Sequence, residues 1–337
     1  MDPVRRIADA VLYEGYVLWP YRKSAMKNQQ RWTFGGVYPE AHSARRGGVD
    51  DPCTMLTQVL LEGDEQTTLD VRVRFLHVVG RQVLEADADG GLEPVEELEL
   101  GEERHLSWDE ATEREIAVGP LSLGELLDAP TRSDIDIPAT TRQEDLDDAA
   151  GRRAGAVARS WRTLAGSVEV SAERLEPRLV RITARITNTS PWREGSREDA
   201  LRQTFCSTHT VLRTEGGEFV SLTDPPEARA AAARECRNEG TWPVLIGEEG
   251  ERGTLLSSAM ILPDYPQIAP ESPGDLFDGG EIDQMLILNI LTMTEEERRD
   301  MRDADPKTRE ILERTEALTP EELMRLHGAV REFGMAR

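Results

Sequence analysis

Two stretches of this chain alternate between apolar and polar residues, and this pattern constrains the fold more than any other feature. The first stretch places on one face Leu69, Val71, Val73, Phe75, His77 and Val79, with Asp70, Arg72 and Arg74 opposite. The second places on one face Val180, Ile182, Ala184 and Ile186, with Arg181, Thr183, Arg185 and Thr187 opposite. An alternation with period two is typical of strands that bury one face. We therefore predict a β-rich body.

The chain as a whole predicts an α+β protein with three regions. Residues 1–52 form an N-terminal helix, which ends before Pro20, and an arm rich in aromatic and basic residues. Residues 53–262 form a β-sandwich-like body. Residues 263–337 combine a loop rich in proline, glycine and acidic residues with a helical tail, in which Thr294 and Glu297 form a capping box.

Parts of the body depart from the strand pattern. Residues 85–115 are acidic and are expected to be irregular, and residues 125–160 are expected to be an acidic excursion with a helix near 143–160. Gly216 and Gly217 separate two apolar pairs, which predicts a tight hairpin there.

The formal net charge of −24 bears on possible partners. A field of this sign repels phosphate backbones and anionic lipids, so nucleic acid and membrane surfaces are poor partners, and a basic protein surface fits better. No run of 18 apolar residues predicts membrane insertion. The three cysteines (Cys53, Cys206 and Cys236) have no Cys-x-x-Cys spacing. Their small number indicates a reducing cytoplasm.

The candidate chemical groups are sparse. His77 lies on the apolar face of its strand and is interpreted as a structural histidine. Cys206 and His209 are three residues apart, a spacing that places two strand residues on opposite faces and argues against a shared metal. We identify no nucleotide-binding or nucleophile motif, so the sequence predicts no catalytic residue, no metal and no cofactor.

Two segments carry the side chains expected to bind a partner protein. In the arm these are Trp19, Tyr21, Arg22, Lys23, Lys27, Asn28, Arg31 and Trp32. In the loop they are Asp264, Tyr265, Glu271, Asp275, Asp278, Glu281 and Asp283. Tryptophan, tyrosine and arginine dominate interface hot spots, which supports the arm as a recognition patch. Alternatively, the arm packs on the body, and the loop carboxylates serve turns or bind a divalent cation.

The same two segments carry a family resemblance. Residues 16–35 read YVLWPYRKSAMKNQQRWTFG, and residues 257–278 read SSAMILPDYPQIAPESPGDLFD, followed by Glu281 and Asp283. They resemble an uncharacterised bacterial protein family associated with gene clusters for nickel–iron hydrogenases. The resemblance implies a role in hydrogenase assembly or function and transfers no catalytic residue.

Three functional hypotheses follow from these features. The leading one is a non-enzymatic accessory or assembly protein that binds a partner, which the resemblance suggests is a hydrogenase subunit. The second is a hydrolase or metal-dependent enzyme that uses the acidic 264–283 loop. The third is a small-ligand binding module in which the aromatic arm acts as a lid.

Overall fold

The computed structural model describes the following residues: 3–13, 35–48, 50–101, 103–267, 290–304, 309, 312–313 and 315–319. The chain divides into two compact units. The first comprises Met1–Tyr16 and Trp32–Pro266, and the second comprises Val17–Arg31 and Gln267–Arg337.

Helices and strands alternate irregularly along the chain. The described helices are α1 (Pro3–Tyr13), α2 (Glu40–Arg45), α3 (Leu123–Asp128), α4 (Arg197–Leu201), α5 (Ala230–Glu235) and α6 (Glu295–Ala304). The described strands are β1 (Thr54–Glu62), β2 (Thr68–Ala86), β3 (Leu92–Val95), β4 (Glu97–Leu100), β5 (Glu103–Leu106), β6 (Trp108–Ser122), β7 (Thr131–Ile137), β8 (Thr140–Asp147), β9 (Arg153–Trp161), β10 (Leu164–Glu176), β11 (Leu179–Asn188), β12 (Cys206–Glu215), β13 (Glu218–Val220), β14 (Trp242–Leu245) and β15 (Thr254–Ser258).

The strands form three sheets in which the pairings between described strands are antiparallel. A five-stranded sheet has the order β13-β1-β11-β10-β7. An eight-stranded sheet has the order β14-β15-β12-β2-β9-β8, with β3 and β6 also paired to β2, and β4 and β5 form a separate pair. The prediction of an α+β, sheet-rich protein is confirmed.

The core of the first unit draws buried residues from both large sheets. The predicted apolar faces of β2 and β11 are buried, including Val73 and Phe75 of the former and Val180 and Ile182 of the latter, and these residues belong to one hydrophobic cluster. Phe75 stacks on Phe205 with ring centroids 4.6 Å apart. Period-two alternation therefore identified the core side of both strands.

Helix α1 changes the environment of the opposite face of β2. Its apolar residues Ile7, Ala8, Val11 and Leu12 are buried. The Arg74 side chain, on the polar face of the alternation, is also buried, and its Nη2 donates to Asp9 Oδ1 at 2.6 Å and Glu113 Oε2 at 3.2 Å. The predicted N-terminal helix therefore exists and shields a cation that strand alternation alone would leave exposed.

Two expectations about irregular segments are wrong. Residues 85–115 contain β3, β4, β5 and the first half of β6, and residues 125–160 contain β7, β8 and most of β9. The helix near 143–160 is absent, because β8 and β9 pair along their length with Thr141 opposite Ser160. Backbone hydrogen bonds to neighbouring strands hold these acidic strands in the sheet. Ion pairs such as Arg159–Glu110 and Arg159–Glu144 offset the negative charge of their carboxylates.

The predicted hairpin at Gly216 and Gly217 is also wrong. Strand β12 lies in the eight-stranded sheet, whereas β13 pairs with β1 in the five-stranded sheet. The two glycines therefore carry the chain from one sheet to the other. Gly216 adopts a φ of +80°, which glycine tolerates without steric cost.

The described part of the second unit is helical around α6. Thr294 and Glu297 form the predicted capping box: Thr294 N donates to Glu297 Oε2 at 2.8 Å, and Glu297 N donates to Thr294 Oγ1 at 3.2 Å. Ile290, Met301 and Leu312 form a small buried cluster. The rest of the predicted helical tail lies outside the described residues. None of the helices in the described ranges is long and apolar enough to cross a membrane.

Candidate functional site

Most residues predicted to bind a partner fall outside the described part of the chain. This applies to all the arm residues, Trp19, Tyr21, Arg22, Lys23, Lys27, Asn28, Arg31 and Trp32, and to the loop residues Glu271, Asp275, Asp278, Glu281 and Asp283. For these residues the partner-binding role remains a prediction.

Asp264 and Tyr265, the two described members of that set, anchor the chain to the first unit. The Asp264 carboxylate accepts from the backbone N–H of Leu245 at 2.8 Å and from Ser221 Oγ at 2.5 Å. Tyr265 N donates to Leu245 O at 2.7 Å, and the Tyr265 side chain packs against the hydrophobic core. Both residues therefore have a structural role at the end of β14.

Cys206 and His209 share a face of β12, contrary to the sequence interpretation. They pair with Leu76 and Arg74 of β2, which are two residues apart, because a bulge lies between Cys206 and His209. Both side chains are fully buried. Burial raises the pKa of the Cys206 thiol and lowers the pKa of His209 to about 3. The two groups are therefore neutral near pH 7.

A second buried cluster surrounds Asp51. Its carboxylate accepts from His42 Nε2 at 2.9 Å and from Arg197 Nε at 3.0 Å. Burial alone would raise the pKa of Asp51, but these hydrogen bonds outweigh burial and hold the pKa below its usual value. Arg197 also bonds the Tyr38 hydroxyl and lies over the Tyr38 ring. The cluster connects α2 to α4, and the Asp51 carboxylate is occupied by hydrogen bonds to His42 and Arg197.

The face of β2 that carries Phe75 is apolar up to that residue, and beyond it the same face of the sheet carries many polar and charged side chains. Strand pairing places Thr112 opposite His77 and Trp108 opposite Arg81, and it places Arg159 of β9 on the other side of Arg81. Arg142 of β8 is in turn opposite Arg159. Since side chains alternate along a strand, this one face also carries the residues Glu110, Arg114, Glu144 and Trp161.

The two carboxylates of this face are used by two of its arginines. Arg159 Nε donates to Glu110 Oε2 at 3.0 Å, and Arg159 Nη1 donates to Glu144 Oε2 at 3.2 Å. Arg81 Nε lies 3.6 Å from Glu110 Oε1. The other two arginines, Arg114 and Arg142, make no ion pair among the described residues.

Trp161 lies between these two arginines. The guanidinium carbon of Arg114 is 5.2 Å from the ring centroid of Trp161, and that of Arg142 is 5.4 Å away. The indole N–H donates to Pro138 O at 3.2 Å, which orients the ring. Within the described ranges, Nε and Nη2 of Arg114 have no hydrogen-bond partner although both atoms are buried. Arg142 is exposed.

The positive charges of Arg114 and Arg142 beside Trp161 are not neutralised by a carboxylate among the described residues. The pKa of Arg114 is lowered, first because the side chain is partly buried and second because of the positive charge of Arg142. A cation stacked on an indole ring gains attraction from the ring quadrupole, which partly offsets this cost. We name Arg114, Arg142 and Trp161 the Trp161 site.

His77 lies beside the Trp161 site and is fully buried, as predicted. Its ring is 6.4 Å from the Trp161 ring in an edge-on orientation. Burial and the charge of Arg114 lower the pKa of His77 to about 4, although the backbone carbonyl of Arg162 acts in the opposite direction. His77 is therefore a neutral imidazole near pH 7.

A cleft of about 320 Å³ borders Trp161. Its lining residues include Gly80, Ser160, Arg162, Arg202 and Gln203. Arg202 Nη2 donates to Asp109 Oδ1 at 3.2 Å, and Arg162 Nη2 lies 3.7 Å from Asp199 Oδ1. The cleft walls are therefore polar, and the indole of Trp161 adds an apolar surface.

Sequence reasoning missed the Trp161 site. Arg114 and Arg142 lie in segments interpreted as irregular or as an excursion, and no local motif connects them with Trp161. The only local signal is a tryptophan between basic residues, in the run Arg159-Ser160-Trp161-Arg162. The pairing of β6, β2, β9 and β8 brings the three residues together.

No protein-family model matches the chain, and no curated protein matches it significantly. In the described ranges, no three histidine, cysteine, aspartate or glutamate side chains are grouped so that they could hold a metal ion. The geometry of the Trp161 site is therefore the main basis for a functional proposal.

Proposed function

We propose that this protein is a non-enzymatic accessory or assembly protein that binds a protein partner through the Trp161 site. The supporting observation is the half-buried indole of Trp161 between two guanidinium groups that lack a carboxylate partner in the described structure. Tryptophan and arginine are the residues that most often provide interface hot spots. A desolvating partner would strengthen each contact that these charges make.

Binding is favoured over catalysis by the state of two histidines, one of them beside the Trp161 site, and of one cysteine. A general acid or base needs a pKa near the working pH and access to the substrate. The pKa of His77 is about 4 and that of His209 is about 3, and both side chains are fully buried. Cys206 is also fully buried, and burial raises the pKa of its thiol, which disfavours the reactive thiolate.

The proposed partner is a subunit of a nickel–iron hydrogenase. This part of the proposal rests on the resemblance of residues 16–35 and 257–278 to the hydrogenase-associated family. In the same proposal the protein is cytoplasmic, and the aromatic arm within residues 1–52 and the loop and tail of 263–337 provide further contacts with the partner. The two large sheets are proposed to form a β-sandwich, which their shared hydrophobic cluster supports.

Affinity purification from the native host tests the proposal. We expect wild-type protein to recover hydrogenase subunits, identified by mass spectrometry, and Arg142→Gln to recover them with roughly tenfold lower yield, because one charge-assisted contact is worth about 1.4 kcal/mol or more. Arg132→Gln is the matched control, since Arg132 is an exposed arginine of β7 that pairs with Asp134 away from the Trp161 site.

Several outcomes would contradict parts of this proposal. Equal recovery by wild type and Arg142→Gln would remove the Trp161 site from the interface. Recovery of a different protein by wild type, lost in Arg142→Gln, would retain partner binding and remove the hydrogenase. If neither form recovers a protein, the partner-binding proposal fails.

The cleft beside Trp161 supports a second candidate function, a small-ligand binding module. Its volume of about 320 Å³ and its mixed polar and aromatic lining are compatible with a small anion. Native mass spectrometry of the purified protein distinguishes the two functions, because a bound metabolite adds a fixed mass in the absence of any partner protein.

A further inference from the structure

The Trp161 site concentrates positive charge on a strongly acidic chain. Around His77 and Arg81 the face described above carries Arg81, Arg114, Arg142 and Arg159 together with the carboxylates Glu110 and Glu144, both of which contact Arg159; Glu85 lies further along the same face of β2. The chain as a whole has a net charge of −24. The local excess therefore has the opposite sign to the overall field, and it lies at a half-exposed tryptophan.

The geometry of the site favours a planar anion. Each guanidinium carbon lies within 5.4 Å of the Trp161 ring centroid, so two cations adjoin the same indole. A guanidinium over an aromatic face retains its in-plane N–H donors, and their spacing matches the two oxygens of a carboxylate. In Arg114, Nε and Nη2 are buried donors without a hydrogen bond in the described structure, and a buried donor left unpaired is costly.

We propose that the Trp161 site is a receptor for a peptide carboxylate, either an acidic side chain or the C-terminal carboxylate of the partner, set in an otherwise basic surface. This inference rests on the proposed function and names the chemistry that the same site recognises. The carboxylate accepts hydrogen bonds from the exposed Arg142, the positive charge of Arg114 adds to the attraction, and the residue that carries the carboxylate contacts the Trp161 indole.

The basic surroundings of this carboxylate follow from the net charge. A polyanion such as nucleic acid is repelled by the acidic chain over distances of about the Debye length. A single carboxylate among lysines and arginines avoids this repulsion, because the basic surface is attracted by the body while the carboxylate is attracted locally by the two arginines.

The cleft that borders Trp161 is lined by Val78, Gly80 and Ser160, which alternate with Arg81 and Trp161 along their strands and so belong to the opposite face of the sheet. Gly80 lines this cleft and has no side chain to fill it. A Cβ atom at Gly80 would lie 3.6 Å from Ser160 Oγ and 3.7 Å from Asp109 Oδ1, which is ordinary van der Waals contact. Gly80→Ala therefore narrows the cleft without a clash and serves as a control for binding on that opposite face.

Peptide titration of the full-length protein tests the inference directly. The probes are three nonapeptides of glycine and lysine that differ at the central residue and at the C-terminus. The first has a central glutamate and an amidated C-terminus, and the second has a central glutamine and a free C-terminal carboxylate. The third has a central glutamine and an amidated C-terminus and so carries no carboxylate. Binding is measured by ¹⁹F NMR on protein labelled with 5-fluorotryptophan, in which Trp161→Phe assigns the Trp161 resonance.

We expect one of the two carboxylate peptides, or both, to shift the Trp161 resonance, whereas the peptide without a carboxylate binds at least about tenfold more weakly. The two carboxylate peptides distinguish a side-chain source from a C-terminal source. Arg142→Gln should weaken carboxylate binding about tenfold, whereas Gly80→Ala on the opposite face and the control Arg132→Gln should leave it unchanged. Raising the salt concentration should weaken binding further.

The inference is overturned if the three peptides bind equally, or if Arg142→Gln leaves carboxylate binding unchanged. It is also overturned if inorganic phosphate shifts the Trp161 resonance and neither carboxylate peptide does. The two proposals fail separately: carboxylate binding without any co-purified protein keeps the receptor and rejects the assembly role, whereas co-purification that is insensitive to Arg142→Gln keeps partner binding and rejects the receptor.

Discussion

The inward face of β2 has two halves with different properties. From Leu69 to Phe75 it is apolar, fully buried and part of the main hydrophobic cluster. From His77 to Arg81 the same face meets Trp161, Arg114 and arginine–glutamate pairs. The strand continues without a break across the boundary, and residues on both of its faces are buried from Val73 to Val79.

The difference between the two halves of this face suggests that the first contributes to stability and the second to binding. The first half packs with residues of the five-stranded sheet in one cluster, so its side chains contribute to folding through removal of apolar surface from water. The second half leads to a surface on which Arg142 is exposed and Trp161 is half-buried. We therefore expect substitutions in the first half to change stability and substitutions around the second half to change binding.

The largest expected effect is on the apolar half. Phe75→Ala removes a fully buried ring that stacks on Phe205 at 4.6 Å. We expect it to lower the free energy of unfolding by about 3–5 kcal/mol, because both the ring contacts and the filled volume are lost. Urea denaturation followed by circular dichroism measures this change. A loss below about 1 kcal/mol would show that this half of the strand is not a rigid core.

The second effect concerns His77 at the boundary between the halves. The folded-state pKa of His77 is about 4 and that of His209 about 3, both below the ordinary value of 6.5. The unfolded chain therefore binds more protons than the folded chain below pH 6.5, so stability falls as the pH decreases from about 6.5 to 4. Each histidine contributes roughly 1.4 kcal/mol per pH unit in that window.

A variant separates the contribution of His77. His77→Leu should reduce the slope of unfolding free energy against pH by about one proton, leaving that of His209. His77→Ala should in addition lose about 1–3 kcal/mol at neutral pH through a cavity. Urea titrations at half-unit pH steps measure both quantities. An unchanged slope in His77→Leu would show that the imidazole is protonated in the folded protein over this range.

The smallest expected effect on stability lies in the polar half. Arg142 is exposed and makes no ion pair among the described residues, so Arg142→Gln should change the free energy of unfolding by no more than about 0.5 kcal/mol. Thermal denaturation next to Arg132→Gln measures this difference. A loss above about 2 kcal/mol would mean that the guanidinium supports the fold, and the comparison between the two halves would no longer hold.

Sequence alone identified the elements whose pattern is local. Alternation predicted the buried faces of β2 and β11, amphipathic spacing predicted α1, and the Thr294–Glu297 pair predicted the start of α6. These signals work because the period of side-chain direction is fixed by the backbone geometry of a helix or strand. The acidic edge strand β8 was missed because its side chains are polar on both faces apart from Leu146, and β7 was missed although Ile135 is buried in the core, because only its last residues are apolar.

Only the tertiary structure decided where the functional candidates lie. The bulge in β12 placed Cys206 and His209 on one face, and helix α1 buried Arg74 on a face that alternation left open. Arg114, Arg142 and Trp161 are brought together by the pairing of four strands, although up to 47 positions separate them in the printed sequence. Local periodicity determines which way a side chain points from its own element, whereas its neighbours depend on long-range strand pairing that no short segment encodes.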